Sequence, residues 1–332
     1  MARHDGTRQP AYADIRRVGL PRALLYYRYG VLWQAFLEAL GRDVVVSRPT
    51  DRAILERGDM RSADECCLAS KLYIGHVDAL LGACDAVFVP SMDNVGTFRT
   101  FCTKFASLPD LVANTFADEG LRVVSCRVDA KAKLDMRSAF FQLALEFGAD
   151  KSQAKRAVKQ AWRAAEGAEA ADVAAQERVL HERAETPEAT RPLAILLAAH
   201  PYVAHDAYLG GAIVELLERL GVCVLFSDAC ERERAVAASE RFSATMPWVV
   251  NREICGSIML LSEHVDGIVL VSAFPCGPDS MTDDAIVRCM HGTPILNLTI
   301  DAQSGTAGLE TRIESFVDIL RYQKRGGYVH GT

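Results

Sequence analysis

The sequence predicts an α/β protein built as two doubly wound parallel-sheet lobes joined by a helical segment. Three observations carry this. Short apolar, β-branched runs alternate with segments of helical period over residues 14–135. A stretch rich in Ala, Glu, Lys, Arg and Gln, without strand pattern, fills 136–190. The strand–helix alternation then begins again and continues through 191–322, leaving 323–332 as a flexible tail.

In the first lobe, Ile15-Arg16-Arg17-Val18-Gly19-Leu20 reads as a strand. Pro21 and Arg22 open a helix with Leu24, Tyr27, Val31, Leu32, Phe36, Leu37 and Leu40 at three- and four-residue steps, stopping at Gly41. Asp43-Val44-Val45-Val46-Ser47 is the next strand. A short helix over 51–57 and another over 67–81 follow. Asp85-Ala86-Val87-Phe88-Val89-Pro90 is a strand leading into a long polar loop, 91–105, of a length that often carries function. Leu108-Pro109-Asp110 opens a helix, and Leu121-Arg122-Val123-Val124-Ser125-Cys126 is the fourth strand.

The arm reads as long helix broken at Gly148-Ala149-Asp150 and at Gly167, and ended by Thr186-Pro187 and Arg191-Pro192. In the second lobe Leu193-Ala194-Ile195-Leu196-Leu197-Ala198 is a strand, followed by the polar loop His200-Pro201-Tyr202-Val203-Ala204-His205-Asp206. A helix over 209–220, the strand Val222-Cys223-Val224-Leu225-Phe226, an irregular region to Trp248 and a helix over 251–264 come next. Gly267-Ile268-Val269-Leu270-Val271 reads as a buried strand. The turn Ser272-Ala273-Phe274-Pro275-Cys276-Gly277-Pro278 then reaches a helix start at Asp279-Ser280-Met281-Thr282. Pro294-Ile295-Leu296-Asn297-Leu298 is the last strand, and a helix over 308–320 closes the lobe.

Composition narrows the function. The 332 residues are 50% hydrophobic and 24% charged, enough for two cores. A net charge of −6 offers no bulk attraction to nucleic acid or anionic membrane. No apolar run approaches the roughly 20 residues that span a bilayer. Met1-Ala2-Arg3-His4-Asp5-Gly6 lacks the apolar core of a signal peptide, so a cytoplasmic location is expected. In that compartment the ten cysteines are not expected to form disulfides, and none has CxxC spacing.

The predicted elements sort the cysteines. Cys126 and Cys223 fall in strands, and Cys84, Cys255 and Cys289 within or at the ends of helices, where small buried apolar residues are the simple reading. Cys230 falls in irregular chain. Cys67 at a helix start, and Cys102 and Cys276 in loops after strands, differ. They fall on the rim where ligands bind in open α/β sheets. The helix N-terminus at Cys276 is expected to lower its pKa toward the thiolate. Cysteines without matched histidines favour a soft metal centre. Three thiolates suit a [4Fe–4S] cluster whose fourth iron is open or bound by another residue type; zinc would normally take a fourth protein ligand. Lys71, on the face of Cys67, could favour a thiolate or an anionic cluster, or be a solvated lysine.

The ordered set Gly19-Leu20-Pro21-Arg22, Cys67-Leu68-Ala69-Ser70-Lys71 with Gly75-His76, Cys102 with Leu108-Pro109-Asp110, His200-Pro201-Tyr202, Phe274-Pro275-Cys276-Gly277-Pro278-Asp279, Asp301 and Gly305 through Ala307-Gly308-Leu309 resembles a known family. It is similar to the domain associated with activators of 2-hydroxyacyl-CoA dehydratases, related to the 2-hydroxyglutaryl-CoA dehydratase and benzoyl-CoA reductase subunits. The resemblance covers residues 15–322. It implies two Rossmann-like lobes and an iron–sulfur cluster between them, held by Cys67, Cys102 and Cys276. It also implies low-potential electrons from a separate ATP-hydrolysing activase with its own cluster, and a homologous subunit as a homo- or heterodimer partner. Ala69 departs from the proline of relatives, and Cys66 is a candidate extra ligand. A double-cubane centre needs more cysteines than the rim offers, so a single cubane is expected.

The chain shows no GxxxxGK[ST] pattern, and Ser304-Gly305-Thr306-Ala307-Gly308 completes no phosphate motif, so no ATPase activity of its own is expected. The leading expectation is an iron–sulfur redox protein of anaerobic metabolism that passes electrons to an acyl-CoA or a small molecule. His200, Tyr202, His205, Asp279 and Asp301 are candidates to line the site, and His76 is a packing residue or a support beside the ligands. A non-catalytic regulatory or scaffolding subunit of an activase–dehydratase complex is the alternative. A two-lobed sugar- or nucleotide-binding protein with incidental thiols is the third reading, favoured if the three cysteines stand far apart.

Overall fold

The computed structural model describes residues 10–302 and 306–324. The first half runs β1 (Arg17–Leu20), α1 (Tyr26–Ala39), β2 (Asp43–Val46), α2 (Arg52–Met60), α3 (Leu68–Asp78), β3 (Ala86–Phe88), β4 (Ser91–Asn94), α4 (Thr103–Thr115), β5 (Val123–Val124) and β6 (Arg127–Asp129). The arm is α5 (Met136–Glu146) and α6 (Lys151–Glu185). The second half runs β7 (Ala194–Ala199), α7 (Pro201–Ala204), α8 (Gly210–Arg219), β8 (Cys223–Phe226), α9 (Arg232–Ser239), α10 (Val249–Leu261), β9 (Gly267–Ala273), α11 (Gly277–Cys289), β10 (Ile295–Ile300) and α12 (Thr306–Lys324). No helix among the described residues is long and apolar enough to cross a membrane.

The expected α/β parallel-sheet class is the observed one. Two four-stranded sheets, β2-β1-β3-β5 and β10-β9-β7-β8, are parallel throughout. Counted from the first strand of each, both have the order 2-1-3-4, so each reverses direction beside its first strand, at β1/β3 and at β7/β9. Crossovers there leave a crevice at the carboxyl ends of the strands. The helix pairs repeat too: α2 crosses α3, and α9 crosses α10. Each crossing runs over a glycine, because a Cβ on Gly58 would stand 1.9 Å from the Lys71 carbonyl oxygen and one on Gly256 1.7 Å from that of Ala235.

Several expected boundaries move. The loop 91–105 contains β4, which pairs with β6 in a separate two-stranded parallel sheet. Cys126 lies between β5 and β6 rather than in a strand. Helix α4 begins at Thr103, with Pro109 inside it. A proline suggests a helix start because its missing N–H is harmless there, but here the first turn is already built before it. Helix α6 is unbroken at Gly167, while its own start is a capping box of Asp150 and Gln153. One interior glycine costs only about 1 kcal/mol, and burial of Ala154, Ala157, Val158 and Ala161 anchors the first half of α6. Ser304, Gly305 and the tail from Arg325 lie outside the described residues.

Helix α6 touches both halves. Its first part joins an aromatic core in which Phe36, Trp162 and Phe88 meet Phe140 edge-on at 4.9, 5.7 and 6.1 Å. Further on, Gln176 accepts from the Phe226 N–H at 2.7 Å and donates to the Phe226 and Ala229 carbonyls. Arg183 pairs with Asp266 at 2.5 Å.

The two lobes are also joined directly. The Leu68 N–H donates to the Phe274 carbonyl at 2.8 Å, the Thr100 N–H to that of Pro247 at 2.8 Å, and the Val249 N–H to that of Thr100 at 2.9 Å. Arg28 on α1 forms a two-pronged ion pair with Glu253 on α10, with both side chains buried. Asp206 of the second lobe accepts from Tyr27 at 3.0 Å and from Thr50. Breaking one side of a buried pair strands the other charge. Glu253→Gln is therefore expected to lower unfolding free energy by about 3–5 kcal/mol in urea titration, whereas Arg28→Met with Glu253→Leu loses much less.

Candidate functional site

Cys67, Cys102 and Cys276 each occupy the residue before a helix: α3, α4 and α11. Each helix begins there because the cysteine backbone is extended while its carbonyl already accepts from the first turn, from Lys71, Phe105 and Ser280 respectively. None of the three side chains caps its own helix. The first-turn N–H groups of three long helices are thus left with their partial positive charge beside three thiols. Helix α11 starts at Gly277, two residues before the predicted Asp279, because Gly277 and Pro278 take up its first turn.

The lobe contacts bring these helix starts together. Leu68, next to Cys67, is hydrogen-bonded to Phe274, two residues before Cys276. Lys104, two residues past Cys102, places its Nζ 4.0 Å from the Cys67 Sγ. Phe105 packs against Tyr202 with ring centroids 6.5 Å apart. The Tyr202 hydroxyl is held well above its ordinary pKa by burial and then by the charges of Cys276, Asp279, Cys67 and Cys102. The ligand atoms of Cys67, Cys102 and Cys276 do not all come within 4.8 Å of one another; among the described residues that closeness is reached by His200, Cys276 and Asp279. Cys67, Cys102 and Cys276 are each partly exposed, and Phe274 and Met281 of the adjoining turn and helix are exposed.

Behind Cys276 stands a buried polar cluster. Ligand atoms of His200, Cys276 and Asp279 lie within 4.8 Å of one another. His200 follows β7 and Cys276 follows β9, so both sit at the switch point of the second sheet. The His200 Nε2 is 2.8 Å from Asp279 Oδ1, which also accepts from Asn251 Nδ2 at 2.8 Å. Asn251 is held in turn by Thr282 at 3.0 Å. The His200 ring stacks on Tyr202 at 4.8 Å. Burial opposes ionisation of Asp279, but the charge of His200 and the bonds from His200, Asn251 and Cys276 hold its carboxyl below the usual range. Asp283, one turn on, is pushed up to about 7 by burial and the Asp279 charge.

The electrostatics of Cys276 reverse the expectation of a thiolate. Burial, and then the charge of Asp279, push its thiol up, and these outweigh the helix N-terminus. Without a bound cation Cys276 is a neutral thiol.

The remaining candidates go elsewhere. Lys71 pairs with Asp59 at 2.6 Å, and the lysine at Cys67 is Lys104. His76 is fully buried, with Nδ1 2.8 Å from Ser47 and Nε2 2.9 Å from Thr50. Burial drives its pKa down to about 3, so it is a neutral link in the chain from the Arg22 N–H through Ser47 and Thr50 to Asp206. His205 pairs with Asp228 at 2.8 Å. Asp301 follows β10, which pairs with β9. Cys289, expected to be buried, is exposed at the end of α11. Burial pushes the thiols of Cys126 and Cys255 up to about 12, as expected for inert core cysteines. Sequence reasoning missed Lys104 and Asn251. Placing the α4 start at Thr103 would have found the first; Asn251 carries no local signal.

Residues 17–230 match the profile of a family described as the CoA enzyme activase uncharacterised domain. No curated protein matches the chain. Among solved structures, a carbohydrate transporter from Acidothermus cellulolyticus in complex with myo-inositol is 10% identical, with a TM-score of 0.20 over 96% of this chain and 89% of that one. Glucosamine-6-phosphate deaminase from Thermotoga maritima is 11% identical, with a TM-score of 0.21 over 93% and 84%. Scores this low carry no argument.

His200, Cys276 and Asp279 place one ligand atom each within 4.8 Å of the others, so cadmium titration of the metal-free chain is expected to give thiolate–metal absorbance that is lost in Cys276→Ala. Affinity should fall as pH is lowered, because the thiol must release its proton to bind.

Proposed function

The chain belongs to the CoA enzyme activase uncharacterised-domain family, and on that premise we propose that it is an iron–sulfur electron-transfer protein. In this reading Cys67, Cys102 and Cys276 hold a [4Fe–4S] cluster between the lobes. The cluster would supply one-electron transfer at low potential: one electron leaves a separate ATP-hydrolysing partner and passes onward to an acyl-CoA or another small molecule. The observation that supports it most is that Cys67, Cys102 and Cys276, from both lobes, each stand at the start of a helix, with Leu68 hydrogen-bonded to Phe274 and Lys104 beside the Cys67 sulfur.

The donor set fits such a group. Partly exposed cysteines at three helix starts and a buried imidazole nitrogen without a hydrogen-bond partner are donors that a soft or borderline metal takes. The starts of α3, α4 and α11 bring partial positive charge to an anionic site. Lys104 adds a full charge on the side of Cys67. The Tyr202 hydroxyl, raised well above its ordinary pKa by burial, stays protonated beside the site. Asp279 orients His200 and, through Asn251, ties the start of α11 to α10. The exposed Phe274 and Met281 leave an apolar rim on which an electron donor can seat. A reducing cytoplasm keeps the thiols available.

Anaerobic purification and reconstitution test the reading. The protein is expected to carry about four irons per chain, with Cys276→Ser losing most of them while Cys126→Ser keeps them. Electron delivery should require an ATP-hydrolysing partner, and the chain alone should hydrolyse no ATP. A colourless protein that takes up no iron on reconstitution would rule the reading out.

A further inference from the structure

Three cysteines leave one iron of a cubane without a protein ligand, and the structure offers a residue for it. His200 is buried, with its side chain 7% exposed, and its Nδ1 has no hydrogen-bond partner among the described residues. An orphaned polar atom at that depth is costly unless something binds it. The other ring nitrogen is taken up by Asp279 at 2.8 Å. That is the arrangement metal-binding histidines use: a carboxylate holds one ring N–H, fixes the tautomer and leaves a lone pair on the other nitrogen. Stacking on Tyr202 sets the plane of the ring. The second carboxylate contact, from Asn251, keeps Asp279 in place. His200 and Cys276 leave neighbouring parallel strands at one switch point, and one ring nitrogen of His200 lies within 4.8 Å of the Cys276 sulfur and of an Asp279 oxygen.

We propose that His200, through Nδ1, is the fourth protein ligand of the centre held by Cys67, Cys102 and Cys276. This rests on the cluster reading above and sharpens it. With all four positions taken by protein, a substrate has no iron to bind, so the electron leaves across the rim to a neighbouring acceptor. Lys71 and His76 cannot compete for the position, since their polar atoms are engaged by Asp59 and by Ser47 with Thr50, and His205 lies partly exposed against Phe226, paired with Asp228.

Pulsed EPR on the reduced, iron-loaded chain decides this. The native protein should show the hyperfine coupling of a directly bound nitrogen. The coupling should change to that of 15N when only histidine is 15N-labelled, which needs no substitution. It should vanish in His200→Ala and in His200→Cys while iron content is retained, and His200→Cys should have the lower midpoint potential, because thiolate replaces imidazole. Iron with no nitrogen coupling, or coupling that survives in His200→Ala or His200→Cys, overturns the ligand assignment alone. Native protein that takes up no iron overturns the cluster reading and this assignment with it. Should His200→Ala fail to fold, the 15N-histidine result still decides whether a histidine is bound.

Discussion

Everything at this site depends on one contact between lobes, the hydrogen bond from the Leu68 N–H to the Phe274 carbonyl. It ties the start of α3 to the turn before α11, so that Cys67 and Cys276 approach although they belong to different sheets. The strand-like exchange between Thr100 and Pro247 and Val249 does the same for the segment that ends at Cys102. Backbone hydrogen bonds have short, directional geometry, so they locate the three residues better than side-chain packing alone could. The buried Arg28–Glu253 pair and the Asp206 network hold the lobes at that distance. The attraction within such a pair is offset by the cost of drying both charges, so its main consequence is that neither partner can be removed alone.

The site balances opposed electrostatic terms. Helix N-termini and Lys104 favour negative charge, while burial and Asp279 resist it at Cys276. The balance keeps Cys276 neutral until a cation arrives to compensate the charge. A solitary nucleophile would need the opposite sign of shift. Behind it, Asp279 accepts from Asn251 and lies 2.8 Å from the His200 Nε2, while the His200 Nδ1 is buried without a hydrogen-bond partner among the described residues.

The two lobes share strand order and crossing helix pairs, yet they contribute differently. In the first, the ligand position precedes α3, the second helix of the crossing pair; in the second, the matching position before α10 is Trp248, which bridges to Thr100 instead. The cysteine of the second lobe comes one strand later, after β9. The repeated frame thus supplies equivalent positions, and the residues placed at them differ between the lobes.

Much of this was legible in the chain. The period-two and helical patterns, with Gly41 and the Asp150 start as punctuation, marked both sheets and the arm, since those signals are local. Cys67, Cys102 and Cys276 stood out because they fell at strand ends and helix starts. Local signals misled at Pro109 and Gly167, where a breaker residue is tolerated by a helix already packed on both sides. They were silent on direction: Lys71 turns to Asp59, His76 to Ser47 and Thr50, and Lys104 and Asn251 enter the site from helices with no motif of their own. By itself the sequence determined the elements and which cysteines were candidates. Only the tertiary structure decided that Leu68 meets Phe274 across the lobes, that burial raises the Cys276 pKa against the helix N-terminus, and that His200 Nδ1 is buried without a hydrogen-bond partner. Those depend on burial and on contacts between lobes far apart in the chain, which no local pattern encodes.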